Sequence, residues 1–308
     1  MSARHDLPLL PGIAEAAPVV DLLDVDTCQA KWRVKLGEVF VLRGQHGPHV
    51  LVCGDARDRA VAEVVDDAVQ HDGVSQVITD PPYGFGYVQG AEEEGRLSDT
   101  GKALAPRRKD RELDGGDEFD PSFMPVWRDI FVPESVYLFT RWTEMWRWRL
   151  AMVMNGWPLQ SRLIWDKMHY GMGDVSRYGD QLEDILVWYE RGKAPNWTKR
   201  EGNLWTEPRG VCLEGGQVGH PTPKPFGLYR RAMQHGTRPG DVVVDMFAGS
   251  GPALIVGDGL RRRVGAADLS PRYCALALER CARYGIEVIH RSKDTRIECL
   301  PSPSDPTS

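Results

Sequence analysis

Val242-Val243-Val244-Asp245-Met246-Phe247-Ala248-Gly249-Ser250-Gly251 is the stretch on which the reading of this chain turns. Three valines in a row suit a strand buried on both faces, as in a parallel sheet. An acid ends the strand, and Gly249 and Gly251 let the backbone turn tightly and come close to a ligand. A helix follows through Ala253–Leu260, and a second strand ends at Asp268, 23 residues beyond Asp245. Strand, glycine turn, helix and strand make a β-α-β unit and place the chain in the α/β class. Ser270-Pro271 opens the next helix, with a capping serine and a first-turn proline.

Upstream, Val39-Phe40-Val41-Leu42 and Val50-Leu51-Val52-Cys53 read as a hairpin around Gly44-Gln45-His46-Gly47-Pro48, closed by Gly54-Asp55. Ala60, Val61, Val64, Val65 and Ala68 recur at helical spacing. Val77-Ile78-Thr79 is a short buried strand that stops at Asp80-Pro81-Pro82-Tyr83. Further strands are expected at Val136–Phe139, Leu159–Trp165 and Ile185–Tyr189. Between the first two, Trp142, Met145, Trp146, Leu150 and Val153 form a stripe that predicts the core side of a helix. A helix beginning at Pro225 turns Phe226, Tyr229, Ala232 and Met233 inward.

The 308 residues allow one large α/β domain or two small ones. The pattern favours one domain over 31–295. Residues 1–30 read as a Pro/Ala/Asp-rich tail and 296–308 as a Ser/Pro-rich disordered tail. Within the domain, 89–120 reads as a long mobile loop and 190–219 as a small polar insertion. No apolar run reaches 18 residues and Met1–Pro11 carries no signal-peptide pattern, so no membrane association is expected. Six cysteines without a C-x-x-C pair predict no zinc or other metal site, buried thiols at Cys274 and Cys281, and a reducing cytoplasm. A net charge of −6 excludes a histone-like coat of nucleic acid. Yet from Arg191 to Arg238 there are nine basic residues and three acidic ones, a local excess that predicts an edge facing nucleic acid.

Three motifs carry chemistry. Asp80-Pro81-Pro82-Tyr83 ends a strand, where open α/β sheets bind ligands. Its prolines remove two donors and leave acceptors, the Asp80 carboxylate and the Pro81 carbonyl, beside an aromatic ring. That array suits an exocyclic NH₂ group on a planar ring. In the glycine motif, Asp245 would repel a pyrophosphate and attract an ammonium, while Asp268 sits at the spacing of a ribose-binding acid. Leu254 stands where the third glycine of a dinucleotide fingerprint belongs, which argues against a nicotinamide or flavin enzyme. In His220-Pro221-Thr222-Pro223-Lys224-Pro225, Thr222, Lys224 and the free N–H groups of the following helix would bind a carboxylate. An ammonium, a carboxylate and a ribose together describe S-adenosylmethionine.

The order D-P-P-Y, H-P-T-x-K-P and D-x-F-x-G-S-G resembles the amino-group DNA methyltransferases whose catalytic motif precedes the cofactor motif, the β arrangement. The resemblance covers about 36–284 and includes the hairpin ending Leu51-Val52-Cys53-Gly54-Asp55-Ala56. It implies a Rossmann-like methyltransferase fold with circularly permuted motifs and a mixed, mostly parallel sheet with one antiparallel strand. It also implies that Asp80 and Pro81, braced by Pro82, hold the target amine, and that Tyr83 stacks on an extruded base. Asp245, Phe247, Gly249, Ser250 and Gly251 would line the methionine end, Asp268 the ribose, Asp55 and Ala56 the adenine, and Thr222 and Lys224 the carboxylate. The chain departs from the family at Met246, Pro252 and Asp268, where Pro, Thr and Glu are usual; Asp268 is shorter by one methylene.

The implied substrate is double-stranded DNA, the implied cofactor S-adenosylmethionine and the implied product N6-methyladenine, because an initial Asp in the motif goes with adenine. N4-cytosine methylation, RNA methylation and a non-catalytic DNA-binding module are the alternatives. Lys199, Arg200 and Arg209, with Trp197 and Trp205, are the candidates for DNA recognition in the insertion. A second copy of the chain is the other candidate partner.

Overall fold

The computed structural model describes residues 23–69, 73–83, 118–170, 178–192, 201–208 and 223–292. In chain order the elements are α1 (Val25–Trp32), β1 (Val39–Arg43), β2 (Pro48–Cys53), α2 (Arg59–Val69), β3 (Gln76–Thr79), α3 (Phe123–Ile130), β4 (Ser135–Thr140), α4 (Met145–Met154) and β5 (Ser161–Asp166). Then come β6 (Leu182–Tyr189), β7 (Leu204–Thr206), α5 (Phe226–Gly236), β8 (Val242–Asp245), α6 (Pro252–Gly259), β9 (Arg263–Asp268), α7 (Pro271–Arg283) and β10 (Glu287–Ser292).

One sheet runs β10-β1-β2-β9-β8-β3-β4-β6-β5-β7. Every neighbouring pair from β2 to β4 is parallel. The α/β, mixed and mostly parallel sheet agrees with the sequence pattern, but the single antiparallel strand is corrected to two. Both β1 and β6 run against the other strands. The second reversal arises because β6 pairs antiparallel with β4 on one side and β5 on the other. The motif order is permuted in sequence yet contiguous in space: β3 and β8, 160-odd positions apart by number, are direct parallel neighbours.

The strands alternate their side chains between two apolar layers. Phe40, Leu51 and Val243 pack with α5, α6 and α7 on one face; Val39, Val50 and Val244 pack with α2, α3 and α4 on the other. The buried thiols Cys274 and Cys281 lie in the first layer.

Several expectations need correction. Within 1–30, read as tail, residues 25–30 belong to α1, whose cap Asp24 accepts from the Thr27 N–H at 2.8 Å. The helix is docked on α7: Lys31 Nζ and Trp32 Nε1 both donate to Glu279 Oε2, at 2.6 and 2.9 Å. Four of the five stripe residues face outward, while Met145 packs against the core. Trp142, Trp146, Leu150 and Val153 are 61%, 63%, 53% and 48% exposed, while Trp148, Ala151 and Met152 are buried. The segment is apolar nearly all round, so its periodicity does not choose a side; Trp148 chooses, by packing edge-on against Phe119 at 4.6 Å. The insertion 190–219 contributes β7 to the sheet edge, and Trp205 is buried there instead of facing DNA. β10 was not anticipated, because Glu287–Ser292 mixes polar and apolar residues without alternation. The 89–120 loop, except residues 118–120, and the 296–308 tail lie outside the described residues.

Candidate active site

The strand order β2-β9-β8-β3 sets four acids side by side at the carboxyl edge of the sheet. Asp55 stands two residues past β2, Asp268 ends β9, Asp245 ends β8 and Asp80 follows β3. Neighbouring strands are about 4.8 Å apart, so the row spans roughly 15 Å. The Gly54 N–H donates to the Asp268 carbonyl at 2.9 Å, which ties the first two strand ends together.

Asp245 is fully buried. One carboxylate oxygen accepts from the Tyr229 hydroxyl at 3.3 Å and the other from the Phe247 N–H at 3.2 Å. Burial pushes its carboxyl up to about 8. Among the described residues no lysine, arginine or histidine forms an ion pair with it. The glycine turn beside it is left-handed at Gly249 (φ 50°) and Gly251 (φ 75°), and a Cβ on Gly251 would come within 2.9 Å of the Ala277 Cβ. Asp268 accepts from the Gly249 N–H at 2.7 Å and the Ser270 N–H at 2.9 Å. The shorter side chain at 268 therefore still reaches the loop. Ser250 turns its hydroxyl and carbonyl to Arg280 Nη1, both at 2.7 Å. Phe247 rests on Phe123 and Trp127, with centroids 5.3 and 5.9 Å away. At the far end Arg57 holds Asp55 at 2.6 Å and Asp120 at 3.0 Å, which keeps the Asp55 carboxyl below its usual range. The Ala56 carbonyl accepts from Trp127 Nε1 at 2.9 Å. A buried carboxylate with no cation paired to it among the described residues, beside an open-backbone turn, fits a ligand that brings its own ammonium.

The β3 end of the row is built differently. Lys224 Nζ donates to Asp80 Oδ2 at 2.6 Å and lies 3.6 Å from Glu183 Oε2. Glu183 also accepts from the Tyr83 hydroxyl at 3.0 Å and from Lys167 Nζ at 3.3 Å. Burial pulls the Lys224 ammonium down, but Asp80 and Glu183 outweigh it and hold the ammonium above its usual range. Burial acts upward on Glu183, yet Lys224 and Lys167 hold it below. Burial, with Asp80 and Glu183 beside it, keeps the Tyr83 phenol neutral. Asp80 Oδ1 and Thr79 Oγ1 are buried without a hydrogen-bond partner. A buried, unused carboxylate oxygen at a strand end is costly unless a ligand completes it.

Asp80, Pro81, Pro82, Tyr83, Asp55, Ala56, Asp245, Phe247, Gly249, Ser250, Gly251 and Asp268 thus share one edge of the sheet. Lys224 is there too, but on Asp80, a contact the sequence does not disclose. Thr222, Lys199, Arg200 and Arg209 lie outside the described residues. Of the basic excess, Lys224 and Arg231 are engaged by acids, Arg231 by Glu201 at 3.0 Å, so that excess is not a uniform face. Sequence reasoning missed Glu183 and Lys167. The signal was a pair of charged residues, Glu183 and Asp184, at the start of an otherwise apolar strand. Because β6 is reversed, its first residues sit at the edge where the parallel strands end, and Glu183 pairs in register with Trp165 of β5.

The sequence profile of the N6_N4_Mtase family, described as DNA methylase, matches residues 74–279. The chain belongs to this family. The Type II methyltransferase M2.DpnII of Streptococcus pneumoniae is 22% identical over 68% of this chain and 82% of its own length. The DNA adenine methyltransferase YhdJ of Escherichia coli (strain K12) is 28% identical over 44% of this chain and 57% of its own, so the match spans little over half of that relative. Among solved structures, the M1.HpyAVI–SAM complex superposes with a TM-score of 0.52 at 20% identity, covering 72% of this chain and 96% of that one. Membership makes this chain a DNA methyltransferase of the amino-group type. The superposition establishes the shared fold.

Proposed function

We propose that this chain methylates N6 of adenine in double-stranded DNA, with S-adenosylmethionine as methyl donor. The observation that carries the reading is the order of the four acids. Asp55, Asp268 and Asp245 follow one another along the sheet edge as adenine, ribose and amino-acid head do in the cofactor, and Asp80 stands at the adjoining strand end, beside the place where the sulfonium between ribose and amino-acid chain would present its methyl group. Asp55 and Ala56 flank the adenine, Asp268 the ribose, and Asp245 the ammonium, with Phe247, Gly249, Ser250 and Gly251 shaping the turn. Thr222 and the first turn of α5 hold the carboxylate, with the charge of Lys224 nearby. The bound cofactor supplies an electrophilic methyl group on a sulfonium sulfur. Lys199, Arg200 and Arg209 contribute to holding DNA.

An aryl amine is a poor nucleophile because its lone pair is delocalised into the ring. Asp80 Oδ1 and the Pro81 carbonyl accept its two N–H bonds, and Pro82 stiffens the turn that presents them. Two fixed acceptors favour a pyramidal nitrogen and localise its lone pair, which is electrostatic preorganisation. Tyr83 offers its ring to the extruded base, worth roughly 1–3 kcal/mol of stacking against an unstacking cost of similar size. Adenine is favoured over cytosine by the initial Asp of the motif and by YhdJ, whose name specifies adenine. Transfer of labelled methyl to duplex DNA, single-stranded DNA and RNA, followed by nucleoside analysis, tests the reading. N6-methyladenine in duplex DNA is expected; N4-methylcytosine would overturn the base, and label only in RNA the substrate.

We infer also that the chain works in the cytoplasm, on the nucleoid when bound to DNA, and pairs with a second copy through α4. The outward stripe with Trp142, Trp146, Leu150, Val153 and Met154 is the support. Large aromatic side chains offer about 150–250 Å² each. Two tryptophans exposed by three-fifths, with the aliphatic neighbours, supply more than half of the ~800 Å² per partner of a standard interface. A two-fold axis would lay the same face on itself. Light scattering should give a dimer for the wild type and a monomer for Trp146→Glu; a wild-type monomer at micromolar concentration would sink this pairing.

A further inference from the structure

Glu183 is the hub of the catalytic cluster, yet it takes neither the amine nor the cofactor in the reading above. It is held on two sides, by the Tyr83 hydroxyl at 3.0 Å and by Lys167 Nζ at 3.3 Å, and its third neighbour is Lys224. Lys224 presents a conflict. Its ammonium sits 2.6 Å from Asp80 Oδ2, so the carboxylate that should polarise the target amine is neutralised. The same ammonium is only 3.6 Å from Glu183 Oε2. A shift of about one ångström would bring it into full contact with Glu183.

We propose that Glu183 is a positioning residue that draws the Lys224 ammonium toward itself when the target amine engages Asp80, so that Asp80 meets the amine with less of its charge offset by Lys224. This rests on the assignment of Asp80 as the amine acceptor. Lys167 is what lets Glu183 play this part, because it keeps the carboxylate ionised and fixed on its far side. The bond to Tyr83 couples the same carboxylate to the ring on which the base stacks. The groups facing Lys224 are Asp80 and Tyr83 beyond β3, Glu183 on β6, Lys167 beyond β5 and the Phe139 ring of β4, 5.7 Å away. Tyr229 of α5 and Asp245 at the end of β8 lie within electrostatic reach of Asp80.

The test is single-turnover methyl transfer to duplex DNA at saturating cofactor, with cofactor affinity measured separately by calorimetry. For Glu183→Gln the rate should fall at least about tenfold near neutral pH, with cofactor affinity within about threefold of wild type. Without Glu183 the ammonium stays on Asp80 and loses its proton at lower pH than before. The variant's rate should therefore start to climb at lower pH than the wild type's does. Adding Lys224→Met to Glu183→Gln should recover part of the rate. A Glu183→Gln enzyme within about twofold of wild type overturns the inference. So does a slow one with the wild-type pH profile that Lys224→Met does not relieve. If Glu183→Gln does not fold, the comparison moves to Lys224→Met with and without Glu183→Gln. With no ammonium to hold, the two should transfer methyl equally, and a further tenfold loss overturns the role. A wild type that transfers no methyl to any DNA overturns the functional reading and this inference with it; an active wild type confines any failure to Glu183.

Discussion

At the β3–β6 end of the sheet edge, Asp80 and Glu183 lie among Lys224 and Lys167, two acids against two ammonium groups. At the β9–β8 end, Asp268 and Asp245 accept from backbone N–H groups and a tyrosine hydroxyl, with no ion pair to Asp245 among the described residues. The first end balances its charges within itself, so the proposed neutral amine would meet carboxylates already paired. The second has no ion pair to Asp245 among the described residues, which is what the proposed ammonium-bearing ligand would supply. Two neighbouring strand ends of one sheet thus solve opposite binding problems, and their separation can be tested residue by residue.

The largest effect is expected from Asp80→Ala. It removes a charged acceptor from the reacting nitrogen, so methyl transfer should fall by about 10²–10³-fold. Cofactor affinity by calorimetry should stay within about threefold, because Asp80 belongs to the other end. Loss of cofactor binding in this variant would mean that the two ends are not separable.

Asp245→Asn sharpens the contrast from the other side. A charge-assisted hydrogen bond is worth about 1.5–3 kcal/mol, so cofactor affinity should drop roughly 10–100-fold. The pH dependence gives the sign. The Asp245 carboxyl is raised to about 8, so below that pH it is neutral in the cofactor-free protein. Binding an ammonium requires the anion, and each binding event then expels a proton. Wild-type affinity should rise up to tenfold per unit between about pH 6 and 7.5, where the ligand's own amino group is still charged. The asparagine variant should lose that slope. The same raised carboxyl favours the cofactor-free fold below its ordinary value of about 3.9 and gives up that contribution as pH rises through about 8.

How much of this could be read beforehand follows from which forces are local. Strand ends, glycine turns and helix starts are written in short stretches. The hairpin, the β-α-β unit around Asp245 and the position of Asp80 are therefore where the sequence puts them. Contacts that depend on strand direction are not local. Nothing near Glu183 says that β6 is reversed, so nothing says that Glu183 meets Lys224 from 41 positions away. The same holds for α4, where Trp148 and Trp146 compete for the core and tertiary packing alone decides. Lys224 was legible as a charge just before α5; its partner Asp80 was not.

Gly251→Ala probes the scaffold that both ends share. At φ 75° an alanine is strained, and its Cβ would press on Ala277 of α7 at 2.9 Å. The unfolding free energy should fall by about 1–3 kcal/mol, read from the denaturant midpoint at constant slope. If α7 yields without cost, the glycine is there for the ligand and not for the packing, and the variant will lose cofactor affinity at unchanged stability.

The smallest effect belongs to Tyr83→Phe. The ring proposed to stack on the base is kept, while the hydroxyl that donates to Glu183 at 3.0 Å is lost. One hydrogen bond to a charged group is worth about 1–2 kcal/mol at most here, because water can reach the half-buried ring and replace part of it. A drop in kcat/KM of roughly three- to tenfold is expected, against the larger loss in Tyr83→Ala, which also forfeits about 1–3 kcal/mol of stacking. The gap between these two variants separates the face of the ring from its edge. Were Phe as damaging as Ala, the hydroxyl would be the working part of Tyr83, and the catalytic end would be held together by its charge network more than by the base it receives.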